Sequence, residues 1–406
     1  MEKNKQRMAI LALASVPLIM TLGNSMLIPI LPLLEKKLEI SKLQSSYIIT
    51  VYSIVTIIFI PLAGYLSDRF GRKKVIVPAL MLTGIGGLIS GFAAWKMDNA
   101  FFVVLLGRIL QGIGASGAMP VVIPLVSDMF EKEEEASATL GIIETSNTAG
   151  KVLSPILGSF LTALIWFLPF FAIPVFAGIA LVLIIFFIRK KGKKAEEPFK
   201  WSEHWGQIKE VFSEHKRWLI AIFIIGAIVM FILFGFLFYL SSILEDDYGF
   251  DGVIKGFLLA IPLFALAAAS YVAGKTIKDK IELMKWLIVI GIIIAGISTI
   301  GILFMKHYIF LLAVFFICGA GIGMTLPCLD SIITENLDKE IRGSITSLYS
   351  AMRFVGVAAG PPASALLMKT ETYWMVALFV ALAICALFLA WKKIYPGVKA
   401  ASWRET

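Results

Sequence analysis

Long apolar runs separated by short polar links make up almost the whole chain. Twelve runs of roughly 20 to 27 residues can be marked, and a bilayer core takes about 20 helical residues. They are 8–33, 44–66, 75–95, 100–127, 138–163, 166–188, 218–244, 254–274, 284–304, 308–332, 343–367 and 372–392. One longer polar stretch, 189–217, opens with RKKGKK and continues EEPFKWSEHW. It divides the chain six plus six. The pattern predicts an all-α membrane protein of twelve transmembrane helices, in two six-helix bundles over 1–188 and 218–406 joined by the linker 189–217. The tryptophans and charges of the linker suit an amphipathic segment lying in the membrane interface, and equally a solvated connection.

An internal repeat supports the division. GIGASGAMPVVIPLVSDMF (Gly112 to Phe130) resembles GAGIGMTLPCLDSIITENL (Gly319 to Leu337), and GKVLSPILGS (Gly150 to Ser159) resembles GVAAGPPASA (Gly356 to Ala365). Parallel repeats in a many-helix membrane protein point to two similar bundles around a central site, the arrangement that permits alternating access.

Composition agrees. The 406 residues are 59% hydrophobic and 16% charged, with mean hydropathy +0.87, values that exclude a water-soluble domain. The basic start (Lys3, Lys5, Arg7) has a signal-peptide flavour, but the run after it is too long and Pro29 and Pro32 stand where small cleavage-site residues belong. It is expected to be retained as the first helix. Most of the 37 basic residues fall in the termini and the even-numbered links, which places both ends in the cytoplasm and the chain in the cytoplasmic membrane. The net charge of +9 is then a topology signal, and no folded basic domain is present to bind nucleic acid. Cys318, Cys328 and Cys385 lie inside apolar runs, so no disulfide framework is expected. HExxH, GxSxG and P-loop patterns do not occur, and His204, His215 and His307 all fall outside the membrane core. No enzyme activity, cofactor or metal is expected, and ion gradients rather than ATP are the expected source of energy.

The link between the second and third runs is GYLSDRFGRKK, an unusual density of charge for so short a connection. Gly64 and Gly71 permit tight backbone geometry, and Asp68 can cap a helix N-terminus or pair with arginine. At this point the chain resembles the major facilitator superfamily, and within it the twelve-helix drug/proton antiporter branch. Gly64, Leu66, Asp68, Arg69, Gly71, Arg72 and Lys73 match its G-x-L-x-D-R-x-G-R-[KR] motif position by position. The resemblance implies a cytoplasmic charge network that holds one state of the transport cycle, with Asp128 in LVSDMF as the acid contributed by the fourth helix. LLGRILQGIGASG (Leu105 to Gly117) looks like the family's R-x-x-Q-G-x-G element, which implies a part for Arg108 in proton coupling; a structural arginine satisfied by backbone carbonyls is the alternative. GKVLSPILGS looks like the antiporter motif G-x-x-x-G-P-x-x-G-G, with Gly150, Pro155 and Gly158 matching and Ser154 and Ser159 in place of glycines. Gly356, Gly360 and Pro361 repeat it in the eleventh run. Small residues let helices approach and proline kinks them.

Charges within the membrane are the other signal, because each is costly there and normally faces a polar interior. In the fifth run, Glu144, Asn147, Lys151, Ser154 and Gly158 recur at helical spacing and form one polar face. At 1.5 Å per residue, Glu144 lies about 9 Å and Lys151 about 20 Å from the start of the run, with about 10 Å between them. Glu144 is the candidate proton-loading group, as a carboxyl removed from water takes up a proton more readily; a structural Glu–Lys interaction is the rival. Lys151 suits an anionic substrate group, or neutralises the site while Glu144 is charged. Arg353 with Tyr349, Asn24 beside MLIPILPLL, and Gln111 complete an expected substrate cavity, and Asp330 reads as a gate or helix-end partner. Many drug antiporters carry an acid in the first helix, and here none lies deeper than Glu35, which moves the expected proton site to the fifth run. Met26, Trp166, Phe231, Phe234, Phe236 and Tyr239 suit either an adaptable pocket or lipid-facing packing.

Together these features predict a proton-coupled secondary transporter, a monomer in the lipid bilayer, that exports amphipathic small molecules. Uptake of a small anion, flipping of an anionic or sugar-bearing lipid, and a non-transporting membrane sensor are the alternatives.

Overall fold

The computed structural model describes residues 2–130, 133–188, 201–277, 280–304, 307–337 and 339–394. The first part of the expected linker, 189–200, lies outside the described residues. Among the described residues the regular structure is all helical: α1 (Glu2–Ser25), α2 (Leu31–Leu38), α3 (Lys42–Phe70), α4 (Arg72–Lys96), α5 (Phe101–Met129), α6 (Glu133–Leu164), α7 (Leu168–Phe187), α8 (Trp201–Asp246), α9 (Gly252–Ile277), α10 (Ile281–Gly301), α11 (Tyr308–Glu335), α12 (Lys339–Leu367) and α13 (Thr372–Lys393).

The first apolar run is not one helix. Pro29 and Pro32 bring no amide hydrogen and crowd the preceding turn, so α1 stops at Ser25, a 3-10 turn covers Ile28–Ile30, and α2 resumes at Leu31. Ser41 then caps α3 in a box, its hydroxyl accepting from the Gln44 amide while the Gln44 side chain accepts from the Ser41 amide. In the second half, α8 runs for 46 residues, with non-helical dihedrals at His215. The described part of the linker is therefore helical and enters the seventh run through that bend.

Among the described residues, ten spans, α1 with α2 among them, are long and apolar enough to cross a membrane by composition, and the described parts of α6 and α12 are not among them. The shortfall has a physical cause. These two helices carry the polar faces, with Glu144, Asn147 and Lys151 in one and Arg353 in the other. The outer surface is greasy where water would not tolerate it, with Phe102 (77%), Phe186 (74%) and Phe304 (71%) largely exposed, as expected of lipid-facing side chains.

The chain falls into two compact units, Met1–Lys200 with Phe250–Phe257, and Trp201–Gly249 with Leu258–Thr406. Within the first, α4 packs on α5 and α7, and α1 packs on α6; within the second, α10 packs on α11 and α13, and α8 packs on α12. The sequence repeat thus reappears as the same pairing of elements. Glycines of the two small-residue motifs make some of the close approaches. A Cβ at Gly158 of α6 would run into the Met26 carbonyl after α1, and one at Gly356 of α12 would run into the Ala227 carbonyl of α8. At Gly360 it would sit 2.5 Å from the Phe231 carbonyl oxygen. In the second unit, Phe236 packs against Phe315 and Phe379, with ring centroids 4.9 Å apart in both pairs. Phe236, Tyr239 and Met26 are buried core residues, Phe234 is also buried, and Trp166 packs edge-on against Phe167.

Candidate functional site

The charged link forms a compact joint between α3 and α4. A single residue, Gly71, connects them with φ +98°, a conformation that side chains other than glycine resist. Gly64 differs from the expectation: it lies inside α3, where an added Cβ meets nothing within 4 Å. Asp68 is no N-cap either. It stands in the last turn of α3, and the α4 N-terminus has no side-chain cap, since the reversal at Gly71 takes one residue and leaves the cap position to the glycine itself. Instead Asp68 pairs with Arg72, whose guanidinium also bonds the Ser67 hydroxyl at 2.6 Å and reaches Asp128 on α5 through Nε at 3.2 Å. The three charges expected to form a latch are thus brought together. Their neighbours in the motif do other work. Lys73 donates to the carbonyls of Ile185 and Ile188 at 2.7 and 2.5 Å, capping the C-terminal end of α7. Arg69 turns back along its own helix to the Tyr65 hydroxyl at 3.2 Å.

Arg108 lies in the middle of α5 and is completely buried. Its Nε donates to the Ile48 carbonyl on α3 at 2.8 Å, Nη1 to the Gly23 carbonyl at 3.3 Å and to Gln111 Oε1 at 2.5 Å, and Nη2 to Asn24 Oδ1 at 2.5 Å. The Tyr52 ring covers it, 4.5 Å from the guanidinium carbon. Three helices are thereby tied to one cation, and no carboxylate is among its partners within the described residues. Asn24 and Gln111, expected to line a cavity, are buried and engaged with Arg108. Gln111 Nε2 is buried without a hydrogen-bond partner.

On α6 the expected polar face is present with a different burial. Asn147 and Lys151 are buried, at 2% and 9%, while Glu144 is exposed. Glu144 is the first of the group along the helix, with Ile142 and Thr145 beside it also exposed. The Asn147 amide bridges the two helices: it receives the Thr21 hydroxyl of α1 at 2.5 Å and donates to the two Glu144 carboxylate oxygens at 3.3 and 3.4 Å. Further along, the Ser154 hydroxyl bonds the Lys151 carbonyl at 2.9 Å. Pro155 and Ser159 meet the segment 250–257 of the same unit, where a Cβ at Gly256 would sit 2.6 Å from the Pro155 carbonyl oxygen.

In the second unit, Arg353 of α12 pairs with Asp330 of α11 at 3.3 Å, and its guanidinium lies 5.7 Å from the Tyr349 ring centroid. The cavity cation and the gate acid of the sequence reading are therefore partners in one ion pair. Residues not foreseen from sequence are Thr21, Tyr52, Ser67 and Lys255, the last almost completely buried near the start of α9. Lys255 obeys the rule that singled out Arg108, a cation inside an apolar run, but its place as the second residue of that run disguised it as an end anchor.

The sequence pattern of the Major Facilitator Superfamily matches residues 13–361 and 282–405. The chain belongs to the major facilitator superfamily. Among relatives in that superfamily, the Bacillibactin exporter of Bacillus subtilis (strain 168) is 49% identical over 382 residues, 94% of each chain. Multidrug resistance protein 2 of the same organism is 25% identical over 96% of each. The crystal structure of a D-xylose-proton symporter superposes with a TM-score of 0.77 at 16% identity, covering 96% of this chain and 98% of that one. As a major facilitator protein the chain is a membrane transporter, not an enzyme.

Proposed function

We propose that the protein exports bacillibactin or a siderophore of that class across the cytoplasmic membrane, driven by the proton gradient. The observation that carries this reading is the 49% identity to the Bacillibactin exporter across 94% of both chains. At 25% identity the multidrug relative gives weaker ground for a broad range of drugs, and the substrate is accordingly a dedicated one. Chemistry favours the same choice. Ferric iron, a small trivalent ion, is a hard cation that favours oxygen ligands, so a siderophore presents oxygen-rich, acidic groups, and Lys151 of α6 and Arg353 of α12 are cations carried into membrane-length helices.

In this reading Glu144 carries the coupled proton. Its carboxylate, held by the Asn147 amide and exposed at one end of the polar face, exchanges protons while Lys151 attracts the substrate acid. Arg108, bonded to α1, α3 and α5, acts as a framework cation that keeps the helices beside this face in register. The cluster of Asp68, Arg72 and Asp128 is the latch, on the cytoplasmic side with both termini. Partly exposed ion pairs are worth about 0–1 kcal/mol each, weak enough to open in every cycle. Expression in a Bacillus subtilis strain that lacks its own bacillibactin exporter tests the substrate. Restored bacillibactin in the medium is the expected result; ethidium extrusion without it returns the protein to the multidrug class.

A further inference from the structure

In the second unit, the paired helices α10 and α13 end together in a cluster of aromatic rings and lysines. Trp286 lies within the first two turns of α10 and Trp391 in the last turn of α13, and their rings meet edge to face with centroids 5.6 Å apart. The Lys285 ammonium crosses from α10 to lie 5.6 Å from the Trp391 ring centroid, and that of Lys392 turns back along α13 to lie 4.8 Å from the Phe388 centroid. Both tryptophans are exposed, at 44% and 54%. From each ring an exposed apolar stripe runs toward the middle of its helix at spacings of three and four: Ile290, Ile293 and Ile297 on α10, Phe388 and Ile384 on α13. The first unit treats the same place differently. In its α4 and α7 pair the cations are consumed by the fold, Arg72 by Asp68 and Asp128, and Lys73 by the carbonyls of Ile185 and Ile188. At the α10 and α13 end, Lys280, Lys285, Lys392 and Lys393 stand against one acid, Glu282, among the described residues of these two helices and their caps.

We propose that this end of α10 and α13 binds an anionic phospholipid, its phosphate drawn to Lys285 and Lys392 and its acyl chains lying along the stripe of Ile290, Ile297, Ile384 and Phe388. A tryptophan ring is apolar with one polar N–H, so it settles at the boundary between hydrocarbon and headgroups, and the Trp286–Trp391 pair marks that level on the outer surface. Lysine lays its stem on apolar surface while its ammonium reaches the headgroups, which is how Lys285 and Lys392 lie on the neighbouring rings. Charge and shape together select the occupant. The excess of lysines over the single Glu282 attracts a net negative headgroup and gives a zwitterionic one no advantage. The apolar stripes that continue from the rings suit acyl chains, which a free phosphate lacks. Glu282 stands one turn nearer the helix end than Trp286, on the water side of the lysines. Lys285 and Lys392 come from different helices onto one aromatic cluster, so the attraction is focused at a single seat.

Native mass spectrometry of the full-length protein, released from nanodiscs made of equal parts phosphatidylglycerol and phosphatidylcholine, tests the site. The parent is expected to retain phosphatidylglycerol in preference to phosphatidylcholine. Lys392→Gln is expected to lower that preference about fivefold, and Lys285→Gln combined with Lys392→Gln about 25-fold, on the scale of one basic residue at an anionic membrane surface. Lys96→Gln is the control: it removes a lysine that also lies over a tryptophan, 4.1 Å from the Trp95 centroid at the end of α4, and is expected to leave the preference unchanged. Glutamine keeps much of the lysine stem, and Lys392 is exposed, so the single variant reads the charge without disturbing packing. Equal retention of the two lipids by the parent, an unchanged preference in the double variant, or the same loss in Lys96→Gln overturns the proposal.

Discussion

Arg108→Lys is the perturbation that most directly separates a framework cation from a mere charge. Lysine keeps the positive charge but offers one nitrogen with three donors in place of a planar fork. It cannot serve Ile48 on α3, Gly23 and Asn24 on α1, and Gln111 on α5 at once. Each buried acceptor left without a donor costs about 1–3 kcal/mol, and losing the guanidinium from the Tyr52 face removes about 0.5–2 kcal/mol more. One stranded acceptor and a weakened ring contact together cost about 3 kcal/mol. For a folding unit of 150–250 residues, each kcal/mol lowers the melting midpoint by about 2–4 °C, so the expected fall is about 6–12 °C. Thermal unfolding of the purified protein in detergent, followed by tryptophan fluorescence, reads it directly. Asn24→Ala should cost less in the Arg108→Lys background than alone, because the two residues share a bond. A melting point for Arg108→Lys within about 2 °C of the parent would refute the framework role and leave only the charge.

Gly158→Val should destabilise strongly, as the side chain enters the space of the Met26 carbonyl, whereas Gly178→Ala, with nothing within 4 Å, should leave the melting point unchanged or raise it by the equivalent of up to about 1 kcal/mol. Asp128→Asn should change stability by less than about 1 kcal/mol, since the pair with Arg72 is partly exposed, yet lower the transport rate; the same melting assay beside a transport assay separates the two effects. Asp330→Ala should destabilise more than Asp330→Ala combined with Arg353→Met, because a single truncation leaves a partly buried cation behind; a double variant worse than the single one would count against this account of the pair.

The all-helical membrane fold and its long apolar runs were legible in the sequence, because apolar length is a local signal. Its limits are instructive. The break at Pro29 to Pro32 and the continuous α8 needed the structure: proline marks where a helix can fail, but not whether the flanking turns resume as one span. Arg108 was visible as a lone cation in an apolar run, whereas its partners are mostly carbonyls and amides on other helices, which no spacing rule identifies. Thr21 was invisible for the same reason. Threonine on a helix usually satisfies its hydroxyl within its own chain turn, and only the approach of α6 at Gly150 gives it a cross-helix partner. The motif residues Asp68 and Arg72 were found as a pattern, but the split of labour, with Lys73 capping α7 and Arg69 facing Tyr65, depends on where the α3–α4 joint points.

Transport into inside-out membrane vesicles, with bacillibactin outside and an imposed pH gradient acid inside, tests the central claim most directly. The account predicts gradient-dependent uptake by the parent protein that a protonophore abolishes and that Glu144→Gln loses while retaining substrate exchange. Equal uptake with and without the gradient, or full gradient-driven uptake in Glu144→Gln, would contradict proton-coupled export through α6.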